Sequence, residues 1–326
     1  MKARGRRDSR ADILILVLLV ALLFGGAALV HWRPRSDTFE GEEHIVHPRR
    51  VPPELVKYRE LPPINLDAKR VRGLAVGPDD RIYVLARFRI LVYEPTGDFV
   101  REYGDLDRAP HCASFGPDGR LYLGLGRCLG ILDLATGEVT EWRDLGKRAL
   151  VGSIAVGERT VMAGDSGTRA VWVFDLKGNE LARVTNEGVP EGEGDAPSVH
   201  FDVTRAQDST FWVTDGGRHA VVNYSSTGQF LGRFGKQGEA IEEFGGCCNP
   251  AHLATFPDGR LLVVEKKPDL VKVLHPDGEL DCVVAPPKAF ILKTFLADAA
   301  TDSKGRALVL DPKQMQVRIF VRKSGK

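Results

Sequence analysis

A short polar turn that returns every 40 to 50 residues is the feature that most constrains this chain. It reads PDDR at Pro78–Arg81, PDGR at Pro117–Arg120, GERT at Gly157–Thr160, AQDST from Ala206, PDGR at Pro257–Arg260 and SKGR at Ser303–Arg306. Arg81 to Arg120 is 39 residues, and Arg260 to Arg306 is 46. A second turn alternates with the first: PTGD from Pro95, ATGE from Ala135, LKGN from Leu176, STGQ from Ser226 and PDGE from Pro276. The stretch from His200 to Gly235 displays one whole unit, with apolar runs at His200–Val203, Phe211–Thr214, Ala220–Tyr224 and Phe230–Phe234 and turn residues between them. Gly, Asp, Asn and Ser bound each run because they supply positive φ or cap a turn through a side chain. A four-stranded meander cannot bury both of its faces alone, so such units stack, and their period is that of a propeller blade. The sequence predicts an all-β fold, a six-bladed β-propeller.

Of the 326 residues, 35 are Gly, and no sustained helical period follows Val71. A ring of about 250 residues is an ordinary size for one all-β domain. The formal net charge of +1, with both signs interspersed, gives no electrostatic case for a nucleic-acid partner.

Ahead of the repeats the composition changes twice. Residues 1–12 are basic, with Lys2, Arg4, Arg6, Arg7 and Arg10, and Ile13–Val30 is an unbroken run of 18 apolar and small residues. That run exceeds the h-region of a cleaved signal, about 7 to 15 residues, and approaches the roughly 20 needed to cross a bilayer. Residues 13–32 are therefore read as one transmembrane helix, an uncleaved signal anchor, with cleavage near Gly25 or Ala27 as the alternative. The excess of positive charge before the run puts a basic tail in the cytoplasm and the propeller outside, in the periplasm if the source is bacterial. Residues 33–54, rich in Pro and charge, read as an extended tether. Domain boundaries follow: 1–12 tail, 13–32 anchor, 33–54 tether, 55–326 propeller. The last unit holds only three strands before Lys326, so Leu55–Leu61 (LVKYREL) is expected to supply its missing outer strand and close the ring.

The segments AGDSGTRAVWVFD (Ala163–Asp175) and VTDGGRHAVVNY (Val213–Tyr224) resemble NHL repeats, in which a strand ending in Asp precedes a short polar loop with Arg and another strand. The resemblance extends over nearly all of residues 71–323, with departures at Ala86, Gly126 and Glu265, near where the Asp is expected. It implies a six-bladed propeller, a fold that hosts binding scaffolds, lyases and lactonases alike. A weaker resemblance links Asn249–His252 (NPAH) and Pro197–His200 (PSVH) to the NHL-like peptidyl-amidating lyase domain, whose metal-binding His residues sit at the starts of inner strands. Other blades carry Cys112, Ser153 or Asp298 there, so that family's full ligand set does not carry over.

Aligning the units on the inner turn gives one residue per blade at the start of the inner strand: Gly73, Cys112, Ser153, His200, His252 and Asp298. His200, His252, Cys112 and Asp298 form a candidate metal ring at one depth of the central channel. Imidazole and thiolate suit a divalent transition metal, zinc or copper, and an open position could activate water. The competing reading is an imidazole bonded to a neighbouring carbonyl and plugging the channel. His111 points the other way and reads as a loop residue.

The rim of the same mouth is predicted to carry Arg87, Arg218, Cys247, Cys248 and Asn249. Adjacent cysteines outside the cytoplasm can form a vicinal disulfide, bind a soft metal or pair with other cysteines. Five cysteines in all leave at least one out of any intrachain pairing. No CxxC, HExxH, GxSxG or Walker pattern occurs, and the glycines of Gly124–Gly130 lie between strands with a spacing unlike that of a dinucleotide loop. Two functional classes remain. The first, preferred because no complete catalytic set is present, is a membrane-anchored extracytoplasmic scaffold that binds a protein or peptide at the propeller mouth. The other is a metal-dependent lyase or hydrolase built on the His/Cys/Asp ring.

Overall fold

The computed structural model describes residues 49–185, 201–267, 269–291 and 295–324. Each repeat is an antiparallel meander of four strands. Blade 1 runs Gly73–Val76, Ile82–Ala86, Arg89–Tyr93, Phe99–Tyr103, and blade 2 runs Cys112–Phe115, Leu121–Gly124, Cys128–Leu132, Val139–Asp144. Blade 3 runs Val151–Val156, Thr160–Asp165, Ala170–Asp175, Glu180–Thr185, and blade 4 runs Val203–Arg205, Phe211–Asp215, Ala220–Tyr224, Phe230–Phe234. Blade 5 runs His252–Thr255, Leu261–Glu265, Leu270–Leu274, Leu280–Ala285, and blade 6 begins with Asp298–Thr301, Ala307–Asp311 and Gln316–Arg322. The all-β, six-bladed architecture predicted from the repeats is the observed one. Among the described residues no helix is long and apolar enough to cross a membrane. The predicted anchor at residues 13–32 lies outside the described residues, as does His200.

In five of the six blades the inner turn is a backbone loop closed from its first to its fifth residue, as in Gly77 N–H to Arg81 C=O (2.8 Å), Gly116 to Arg120 (3.0 Å) and Phe256 to Arg260 (2.8 Å), and in blade 3 it closes one residue sooner, from Gly157 to Thr160 (2.8 Å). Its fourth residue has positive φ, +74° at Gly119 and +85° at Gly259, which is why PDG recurs there. The Asp one position earlier caps the loop: Asp118 Oδ1 accepts from the Arg120 amide at 3.0 Å.

Burial explains why the middle strands lose the two-residue alternation. Ile82–Ala86 and Leu261–Glu265 are buried at every position, whereas the outer strand Phe230–Phe234 alternates between half-buried and exposed. The apolar clusters lie between blades: Leu85, Ile90 and Val92 of blade 1 pack on Leu121, Leu123 and Leu132 of blade 2. Tyr58, Val309 and Phe320 join Phe256, Val264 and Val273 across blades 5 and 6. Each blade therefore supplies half of two cores, and the ring is stable only when closed.

Tyr58–Glu60 pairs antiparallel with Gln316–Arg322 as the outer strand of blade 6, and Ile64–Asn65 adds a further short pairing to the same strand. Tyr58 is 3% exposed, and Arg318 grips Glu60 through two bonds of 2.7 and 2.6 Å. A bidentate guanidinium–carboxylate contact fixes direction as well as distance.

The last strand also reaches back to blade 5. Arg322 Nη1 lies 2.6 Å from Asp281 Oδ2, and Arg260 contacts the same oxygen. The hydrogen bond from Arg322 holds the Asp281 carboxyl well below the usual carboxylate range, against the opposing effect of burial. A carboxylate depressed in the folded state stabilises the fold above its unfolded pKa, and that contribution is lost as pH falls through the folded pKa. Arg322→Ala is expected to raise the Asp281 pKa and move the acid-unfolding midpoint to higher pH. An acid-unfolding curve coincident with that of the wild type would contradict this.

Candidate functional site

One position per blade opens onto the channel, set by register with the second strand. Gly73 pairs with Leu85, Cys112 with Gly124, Ser153 with Gly164, His252 with Val264 and Asp298 with Leu310. In blade 4 this place belongs to Asp202, which accepts at its carbonyl from Thr214 N–H (2.9 Å) while its own N–H donates to Thr214 Oγ1 (2.7 Å). The predicted frame of that blade, with its strand at His200–Val203, is two residues early. Its inner turn closes from Ala206 to Thr210 (2.9 Å), and the channel position lies four residues before the turn in every blade. Applied to Ala206, that count of four was the signal in the sequence that pointed to Asp202.

Three consecutive blades thus bring Asp202, His252 and Asp298 together, with one ligand-type atom from each lying within 4.8 Å of the others. His252 Nδ1 is 3.5 Å from Asp202 Oδ2. The carboxylates are aimed by the fold. Asp202 Oδ2 accepts the Leu253 amide of blade 5 (3.0 Å), while Oδ1 accepts the Val203 amide (2.9 Å) and the Ser153 hydroxyl of blade 3. Asp298 Oδ2 accepts the Leu74 amide of blade 1 (2.8 Å), and its Oδ1 accepts the Ala299 amide (2.8 Å). The bonds to Leu253 and Leu74 come from the next blade, so ring closure itself orients the carboxylates. These three residues line a cavity of 270 Å³ together with Ser153, Arg72 and His111.

Charge is concentrated here in a place that disfavours it. Burial, and then the nearby Asp202 charge, push Asp298 up to about 7. Burial works against a charged imidazole at His252, yet the hydrogen bond and charge of Asp202 and the charge of Asp298 outweigh it and raise its pKa. Two carboxylates and one imidazole are ligand types that a divalent cation accepts, and their atoms lie within 4.8 Å of one another, wider than the roughly 4 Å between donors on bonds of about 2.0 to 2.2 Å, so a bound ion would have to draw them closer. At the rim, Arg72 Nη1 donates to His111 Nε2 at 2.8 Å. Burial and the Arg72 charge lower the His111 pKa, so His111 is a neutral acceptor whose other nitrogen carries the proton. The sequence placed His111 on a loop, which is correct, but the loop faces the channel.

The other predicted residues fall as follows. Cys112 borders the channel, but its thiol packs in the apolar cluster of Tyr122, Leu129 and Val151, in space that Gly124 leaves open. Burial, with the charges of Asp298 and Asp202, raises its pKa well above that of an ordinary thiol. Arg87 lies over the Phe88 ring at 5.2 Å, and Arg218 is held by Asp215 at 2.8 Å. Asn249 is 1% exposed and is spent on the backbone, donating to Gly245 C=O (2.7 Å) and Lys266 C=O (2.8 Å) and accepting from Lys266 N–H (2.8 Å). Cys247 is exposed and Cys248 half-buried, with their sulfurs 3.0 Å apart.

A buried ion cluster under this rim was not foreseen. Glu265, at the strand end where blades 3, 4 and 6 carry a turn-capping Asp, meets Arg49 at 2.5 Å and Lys272 at 2.9 Å, with Glu265 and Lys272 side chains fully buried. Lys272 Nζ also donates to the carbonyls of Ile241 (2.8 Å) and Glu243 (2.7 Å) and lies 4.4 Å from the Phe244 ring centre. Arg49 donates to Ala240 and Glu243 carbonyls, each at 2.9 Å. Together they pin the long connection that leads to His252.

No family model matches the chain, and no curated protein matches it. Solved structures do. A streptogramin B lyase aligns with a TM-score of 0.58 at 12% identity, over 82% of this chain and 98% of the other. A catalytically inactive histidine-to-alanine variant of virginiamycin B lyase from Staphylococcus aureus, with quinupristin, gives 0.57 at 14% identity, over 82% and 99%. A protein of unknown function from Bacteroides thetaiotaomicron gives 0.59 at 15%, over 80% and 72%. Likeness at this level of identity establishes the architecture: the chain is a six-bladed β-propeller.

Proposed function

We propose that the channel mouth holds a divalent cation between Asp202, His252 and Asp298 and serves as the active site of a lyase or hydrolase, on a propeller of NHL type tethered outside the membrane by residues 13–32. One observation carries this reading: three ligand-type side chains from three successive blades converge at one depth, and amides of neighbouring blades aim both carboxylates. A nitrogen and two oxygens favour zinc or a harder dication over the copper that a thiolate would have suited. Bound there, such an ion would supply Lewis acidity and activate a water or a substrate oxygen. Asp202 orients His252, and the Arg72–His111 pair offers N–H donors to an anionic substrate group. The lyase named among the structural neighbours is compatible with this class. Its substrate is not carried over.

The scaffold reading has its own support. Phe88 (40%), Leu150 (46%) and Phe295 (41%) are exposed in loops beside the inner-strand starts, apolar surface suited to a protein or peptide ligand.

Elemental analysis of the untagged full chain, purified in detergent, separates the two. Near-stoichiometric transition metal that is lost in Asp202→Asn and in Asp298→Asn is the expected result. A folded wild-type chain that binds neither zinc nor manganese after equilibration with excess ion would overturn the metal site and leave the scaffold.

A further inference from the structure

The connection entering blade 5 carries a second chemically distinctive feature. We propose that Cys247 and Cys248 are a redox-active dithiol that closes to a vicinal disulfide under oxidising conditions. The inference goes beyond the metal-site reading and does not depend on it.

Burial sets the other three thiols apart from this pair. Cys112 and Cys128 are buried in blade 2 and Cys282 in the outer strand of blade 5, where burial pushes its thiol up to about 12. Cys247 and Cys248 are the accessible sulfurs, and they already touch at 3.0 Å. The backbone on either side is fixed. Gly245 N–H donates to buried Glu265 at 2.9 Å, and Asn249 is tied by three bonds to Gly245 and Lys266. A side chain on Gly216 would meet the Cys248 carbonyl carbon at 2.9 Å, so that loop presses on the pair from the other side. Cys248 has a φ of +61°, a left-handed conformation uncommon for a residue other than Gly, Asn or Asp. With the flanks clamped, the sulfurs cannot separate to bridge anything distant. The hydrogen bond from Cys247 and burial raise the Cys248 pKa, and the charges of Lys266 and Lys267 oppose that rise only in part, so closure is carried by the contact between the two sulfurs rather than by an activated thiolate.

The balanced step uses a disulfide oxidant such as oxidised glutathione. One thiolate attacks it to form a mixed disulfide and release one glutathione. The neighbouring thiolate then displaces the second, so two electrons pass to the oxidant and each protein thiol gives up its proton. His252 follows four residues later on the same strand entry, so closure stiffens the chain leading to the channel.

The test incubates the full-length protein across a range of reduced-to-oxidised glutathione ratios, quenches in acid, alkylates, digests and weighs the peptides. The expected product is a peptide holding both cysteines, unalkylated and lighter by two hydrogens, that returns to the dithiol on reduction. In Cys247→Ser, Cys248 should instead stop at the mixed disulfide. The proposal is overturned if wild-type Cys247 and Cys248 remain alkylatable at every ratio, if they accumulate as the glutathione adduct, or if they are recovered linked to Cys112, Cys128, Cys282 or a second chain.

Discussion

Glu265→Ala is expected to destabilise the folded chain by about 3 to 5 kcal/mol, the cost of stripping the partner from a buried charge. The substitution leaves Lys272 and Arg49 facing each other with their shared carboxylate gone, both nearly inaccessible to water. Lys272 is already lowered to about 8, with burial as the main cause opposed by Glu265, and without that carboxylate it would shed its proton to escape the penalty. Its carbonyl acceptors at Ile241 and Glu243 remain, so the loss should fall short of complete unfolding. A Glu265→Leu, Lys272→Met, Arg49→Met triple variant should recover much of the stability, because apolar side chains of similar volume leave no buried charge without its partner. Urea unfolding of the three proteins measures both effects. A single variant within about 0.5 kcal/mol of the wild type, the range of an ordinary surface change, would show that the cluster carries no such weight.

The second large effect is graded along the channel. His252→Ala should abolish measurable binding of a divalent cation in calorimetric titration, and with it any turnover that depends on the ion. Ser153→Ala should weaken ion binding by only about 10- to 100-fold, as expected for a residue that orients a ligand without touching the metal. Its hydroxyl donates to Asp202 Oδ1 and accepts the Val203 amide at 2.8 Å. Equal losses in the two variants would count against the assigned hierarchy, and unchanged binding in His252→Ala would remove His252 from the ligand set.

The two predictions meet in one stretch of chain. Residues from Lys236 to Ala251 have little regular pairing of their own, with a single bridge between Gln237 and Phe244. Arg49, Lys272 and Glu265 hold this segment from beneath, and it delivers His252 to the channel at the place where Asp202 and Asp298 wait on the blades to either side. Stability and site geometry are therefore coupled through the Glu265 cluster, and Glu265→Ala should also weaken ion binding.

Local chemistry in the sequence determined the architecture. A turn needing an Asp cap and positive φ recurs on a fixed period, and a meander with both faces apolar requires neighbours, so six blades could be read without coordinates. The same period located His252 and Asp298 at the channel, because register within a blade is a short-range property set by the turn. Asp202 was missed where the turn signature is weakest, AQDST in place of PDG, and a shift of two residues keeps the same facing and so leaves no conflict in the pattern to notice. Tertiary structure alone decided the rest. Whether a channel residue becomes a candidate ligand depends on what the next blade presents to it: Leu253 and Leu74 amides aim Asp202 and Asp298, whereas the Cys112 thiol packs in the apolar cluster with Val151 of blade 3. The Arg49–Glu265–Lys272 cluster joins residues more than 200 positions apart, and no local pattern announces a charge buried by ring closure. Periodicity fixes direction and depth within a blade, but contacts between blades set charge, proton affinity and aim.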